Sequence, residues 1–160
     1  MPSSTAIEKT CVAAITNAAA AVVNDHLGMD ASFAVPYQSG SQFQSFDVSV
    51  VMGINGTLEG QMICSMENKT ALSVVSTMMG GMEMTALGDM GWSAIQEFGN
   101  WIAGKTAAEL AESVESIDIS PPMVNEGVSV FRMEGTFITL PLRSAAGQFS
   151  IHISIKENIS

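Results

Sequence analysis

Four residues of this chain, Ser93, Glu97, Asn100 and Gly104, have types and a spacing that could do chemistry together. At 100° per residue on a helix they fall within about 60° of one another, while Ile95, Phe98 and Ile102 gather on the opposite side. A carboxamide both accepts and donates hydrogen bonds, whereas a carboxylate accepts them and attracts cations. Such a pair can bind and orient. The same face continues through Ala107, Ala108 and Ala111, so it is a low surface from which two polar groups stand out and onto which a partner can come close. The alternative is that Glu97 and Asn100 are ordinary solvated residues and that Gly104 packs against a neighbouring element.

The elements that must position this face can be read from periodicity. Residues 4–27 repeat apolar positions at spacings of three and four through Ile7, Cys11, Ala14, Ile15, Ala18, Val22 and Val23, and Leu27-Gly28 supplies a helix stop. A short strand is expected at 32–36, and the polar stretch 38–45 reads as loop. Phe46, Val48, Val50 and Met52 alternate as one face of a strand, and Asn55-Gly56 is the strongest turn signal, opening a hairpin with 57–66. A helix over 68–79 ends at Gly80-Gly81, and a longer one over 87–114 carries the four residues. After Pro121-Pro122 three strands are expected at 128–133, 136–143 and 149–156, separated by Glu134-Gly135 and Ala146-Gly147. The implied architecture is an α/β (α+β) single domain over 1–160, with an antiparallel-rich mixed sheet and helices packed on it.

Composition narrows the function classes. The chain has 160 residues, 47% of them hydrophobic and only 14% charged, enough for one core with little charge left for the surface. A formal charge of −10 argues against nucleic acid or an anionic membrane as partner and favours one with a positive rim. Cys11 and Cys64 lack Cys-x-x-Cys spacing and read as free buried thiols. His26 and His152 suggest no metal site. Neither a phosphate-binding loop nor a covalent-hydrolase signature is present. No leader pattern opens the chain and its apolar runs are broken short of a span, so a cytoplasmic protein is expected. Met78, Met79, Met82 and Met84 read as core filling, with an adaptable binding surface as the alternative.

The pattern Ser93-x-x-x-Glu97-x-x-Asn100-x-x-x-Gly104 resembles the signature of the CheC/CheX/FliY phosphatases of bacterial chemotaxis. The segments Gly53-Ile-Asn-Gly-Thr-Leu-Glu-Gly60, Thr70-Ala-Leu-Ser-Val-Val-Ser-Thr-Met-Met-Gly-Gly81, Ala103-Gly-Lys105 and Asp118-Ile-Ser-Pro-Pro122 are similar to CheX in the same order. The resemblance implies the CheC/CheX-like fold and hydrolysis of the aspartyl phosphate on a CheY-type response regulator. It assigns Asn100 to orienting the attacking water and Glu97 to an ion pair with the regulator's lysine. Ser93 and Gly104 would support docking, and Lys105 lies off the face. No cofactor belongs to the chain itself; a Mg²⁺ ion is expected on the regulator. A homodimer is implied as well. Asn24 and Gly28 repeat the Asn-to-Gly spacing with Ala21 in place of the Glu, which implies one working site per chain. Two other classes stay open: a non-catalytic adaptor that binds the regulator, and a structural oligomer using the small-residue helix face as its interface.

Overall fold

A computed structural model describes residues 4–158. The first helix, α1 (Ser4–Ala20), continues without a break into a π-helical turn (Ala21–His26) that closes through Leu27 N–H to the Val22 carbonyl at 2.9 Å. Gly28, at φ +68°, then reverses the chain as its place after the helix suggests. By length and composition residues 6–26 could cross a membrane; instead Cys11, Ile15, Ala18, Ala19, Val22 and Val23 are buried in the core.

The strands that follow are β1 (Ser32–Phe33), β2 (Tyr37–Gln44), β3 (Val48–Gly56) and β4 (Leu58–Met66). After them come α2 (Asn68–Met78) and α3 (Gly88–Leu110), then β5 (Ile117–Ile119), β6 (Met123–Glu126), β7 (Val130–Ser144) and β8 (Gly147–Glu157). They form one sheet in the order β1-β7-β8-β4-β3-β5, with β2 also on β7 and β6 also on β3. Every pairing among the described residues is antiparallel. The α+β class expected from sequence therefore holds.

Two expectations about strands need correction. The polar stretch 38–45 is largely strand: β2 pairs with β7 through a register that shifts on either side of Gly40, whose φ is +81°. Only Phe43 of β2 is buried, because β2 is an edge strand held by its backbone, and a buried-face alternation never develops. Likewise Glu134-Gly135 is no turn. β7 continues through it: residues 130–132 and 137–139 pair with β2, residues 138–144 pair with β8, and Gly135 (φ +94°) falls in the gap between the two stretches paired with β2. Asn55-Gly56 also does more than turn, since both residues pair with β5 before the hairpin closes.

Two cores result. Helices α1, α2 and α3 cover one face of the sheet over Val48, Val50, Met52, Ile54, Met62 and Cys64. The β2–β7 flap covers part of the other face, where Phe43, Ile63 and Phe137 pack together. Here Phe43 stacks on His152 with ring centroids 3.5 Å apart, and Thr139 Oγ1 lies 2.8 Å from His152 Nδ1. Met52, Met62 and Met66 fill the core, while Met78, Met79 and Met84 pack partly buried at its edge and Met82, expected to fill core space with them, is exposed.

Candidate functional site

Helix α3 buries Ile95, Phe98 and Ile102 against the sheet and exposes Ser93, Glu97, Asn100 and Gly104, the division its sequence predicts. Among the described residues, neither the Glu97 carboxylate nor the Asn100 carboxamide has a hydrogen-bond or ion-pair partner. Both groups face solvent on a helix whose other side is locked. They are free to meet a second molecule.

What locks the helix is an arrangement the sequence reading missed. Gly99 faces inward, and a β-carbon there would lie 2.7 Å from Val50 Cγ1 and 3.1 Å from Pro122 Cβ. The bare glycine lets α3 seat directly on β3 and on the turn between β5 and β6. One turn of helix contains the second lock: Gln96 Nε2 donates to the Pro122 carbonyl oxygen at 2.9 Å. Ser120 completes the corner, its Oγ accepting from Gly53 N–H at 2.8 Å while its own N–H donates to the Gly53 carbonyl. A glycine on the apolar side of a helix was the available signal for this close approach.

Gly104 is the opposite case. A β-carbon at Gly104 would meet nothing within 4 Å among the described residues, so none of them explains its smallness. It opens a shallow groove of about 270 Å³ beside Asn100, walled by Ile117, Ile119 and Ser120 and continued by Ala107. A larger concavity of about 670 Å³ lies near Gly135, between Glu59, Gln61 and Lys156, and no residue of α3 lines it.

Trp101, one turn beyond Glu97, stands on the other flank, with its ring centroid 4.1 Å from that of His26 at the end of the π-helical turn. The neighbouring Asn24 is committed to structure, since its Oδ1 accepts from Ala31 N–H. The Asn24–Gly28 echo therefore closes a loop.

Among the described residues no three His, Cys, Asp or Glu side chains converge as a metal site would require. Cys11 and Cys64 are buried and unpaired. Burial, helped by the nearby Glu8 charge, pushes the Cys11 thiol up to about 11, and burial alone pushes Cys64 to about 12. Both stay protonated and inert as nucleophiles near neutral pH.

The chain is similar to known proteins over most of its length. The family described as chemotaxis phosphatase CheX matches residues 48–141, which include β3 through α3 and most of β7. The CheY-P phosphatase CheX of Thermotoga maritima is 42% identical over 108 residues, covering 66% of this chain and 70% of that protein. In fold, a CheC-like superfamily protein from Shewanella sp. PV-4 superimposes with a TM-score of 0.80 at 18% identity, over 92% of this chain and 97% of the other. A chain of the CheX–CheY–BeF3–Mg²⁺ complex of Borrelia burgdorferi does so with a TM-score of 0.75 at 24% identity, over 91% and 97%. On the family match and the Thermotoga relative together, this chain belongs to the chemotaxis phosphatase CheX family.

Proposed function

We propose that this protein hydrolyses the aspartyl phosphate of a CheY-type response regulator, using the exposed face of α3 to dock and to position water. The observation that carries the reading is the exposed pair Glu97 and Asn100, without a partner among the described residues and presented by a helix clamped from behind at Gly99 and Gln96. The Thermotoga relative, a CheY-P phosphatase, supports the same substrate.

An acyl phosphate is already activated, so the protein needs no nucleophile of its own. It has to hold a water in line with the leaving carboxylate, and positioning of that kind removes a large part of a barrier. Asn100 is suited to this: its carbonyl oxygen accepts from the water while its NH₂ donates to a phosphoryl oxygen. Glu97 would repel the phosphoryl group at close range, so it pairs instead with the regulator's lysine beside it. Gly104 keeps the helix surface low where the regulator approaches, and Ser93 supports the docked helix from the preceding turn. The metal ion belongs to the regulator; the Borrelia complex contains BeF3 and Mg²⁺ together with its CheX and CheY chains. The reading takes residues 1–160 as one such domain, acting in the cytoplasm as a homodimer.

The test is phosphate release from a panel of phosphorylated regulators, with and without the protein. Acceleration of at least one regulator is expected. Tight binding to an activated regulator without acceleration would replace this reading with a non-catalytic adaptor. A dimer that buries Glu97 and Asn100 in solution would replace it with a structural oligomer.

A further inference from the structure

The face that carries Glu97 and Asn100 begins one residue class earlier than its polar pair. Met90 precedes Glu97 by seven residues, two turns of α3, which places it about 20° from Glu97 around the axis and about 10 Å from it along the axis. It is 63% exposed and is the one large exposed hydrophobic side chain on α3. A single exposed apolar residue is ordinary in itself. Met90, however, faces solvent on the same side of α3 as Glu97, beside a turn whose Leu87 and Gly91 are buried.

Position then decides what covers it. A folded domain of about 100 residues has a radius of gyration of about 13 Å, so a regulator seated on Glu97 and Asn100 also overlies a point about 10 Å along the helix. Between them stands only Ser93 on this face, too short to hold the partner away.

Resting on the function proposed above, we infer that Met90 is a further docking residue: its thioether arm packs against an apolar patch of the phosphorylated regulator and raises affinity without touching the reacting atoms. The two contacts differ in kind. The Glu97 ion pair is weakened by salt, whereas burial of Met90 is not. An unbranched, polarisable side chain also adapts to the shape it meets, which suits a contact that selects among related regulators.

The experiment measures stimulated dephosphorylation as a function of protein concentration for wild type, Met90→Ala, Met90→Leu and Glu97→Ala, at low and high ionic strength. Met90→Ala is expected to raise the half-saturating concentration roughly fivefold, by the same factor at both salts, with maximal rate within about twofold of wild type. Met90→Leu restores the wild-type value. The Glu97→Ala defect shrinks as salt rises. If wild type accelerates dephosphorylation but Met90→Ala leaves half-saturation unchanged, or lowers the maximal rate instead, the inference falls and the function stands. If wild type accelerates none of the regulators, both fall.

Discussion

A β-carbon at Gly99 would approach Val50 Cγ1 to 2.7 Å, whereas one at Gly104, five residues along the same helix, would meet none of the described residues within 4 Å. The first glycine faces the sheet and sets how deeply α3 sits. The second faces solvent and leaves room for something outside the chain. The two should respond to the same substitution with opposite signs.

Gly99→Ala should destabilise the protein. Alanine is about 1 kcal/mol better than glycine within a helix, but overpacking a filled core costs about 1–3 kcal/mol. Val50 is fully buried and its branched side chain has little freedom to yield. Urea unfolding should give a net loss of about 1 kcal/mol, and dephosphorylation should weaken because Asn100 rides on the displaced helix. Gly104→Ala, by contrast, should stabilise the fold by up to about 1 kcal/mol while weakening regulator binding. A Gly104→Ala variant with unchanged binding would remove the close-approach role from Gly104.

Asn100→Ala should abolish stimulated dephosphorylation with folding and most regulator affinity intact. The side chain is exposed and has no hydrogen-bond partner among the described residues, so its loss is confined to the reacting water. A fall of about 100-fold or more in the maximal rate is expected for one positioning group. Stopped-flow decay of the phosphorylated regulator at saturating protein measures it, and near-wild-type turnover would reassign Asn100 to the solvated surface.

Much of this site was legible in the sequence because a helix face is a local property. Ser93, Glu97, Asn100 and Gly104 are fixed relative to one another by helical geometry, and the apolar stripe of Ile95, Phe98 and Ile102 says which side is buried. What was not legible depends on partners distant in sequence. The Gln96–Pro122 bond joins residues 26 apart, and the Gly99 contact with Val50 joins a helix to a strand nearly fifty residues earlier. The same reason hides β2. Its Gln/Ser/Gly composition looks like loop until β7 supplies a backbone to pair with, and β7 itself reads as two strands because Gly135 imitates a turn.

Glu97→Ala should act on binding more than on chemistry. Truncating one partner of a partly desolvated interfacial ion pair costs about 2–5 kcal/mol, whereas an exposed rim pair costs far less. Half-saturation should rise strongly and maximal turnover should fall less. Glu97→Gln should recover little, since the charge is what is missing. Titration of both variants against a beryllofluoride-activated regulator at two ionic strengths checks this; unchanged affinity in both would return Glu97 to the class of ordinary surface charges.

The flap predicts a pH dependence unconnected with catalysis. His152 is buried between the sheet and Phe43, and burial lowers its pKa from 6.5 to about 4. Its hydrogen bonding is consistent with a neutral ring: Thr139 Oγ1 donates to Ser39 Oγ at 2.8 Å, and Ser39 Oγ donates to the Phe137 carbonyl, which leaves Thr139 to accept from Nδ1–H. Well above pH 6.5 the ring is neutral in both the folded and the unfolded chain, and His152 adds no pH dependence. Between pH 6.5 and about 4 the unfolded chain binds the proton and the folded one does not, so stability falls as the solution is acidified. Below about 4 the folded form binds it too and the loss stops growing. The slope is about 1.4 kcal/mol per pH unit, so roughly 2 kcal/mol should be lost between pH 6.5 and 5, a range in which ordinary carboxylates are still ionised. Urea unfolding of wild type and of His152→Gln at pH 7 and pH 5 isolates the contribution, because the variant lacks the titrating ring. Wild type should lose about 2 kcal/mol more than the variant across that interval. Equal losses in the two proteins would mean that His152 takes up its proton without opposition from the fold, and the burial argument for the flap would fail.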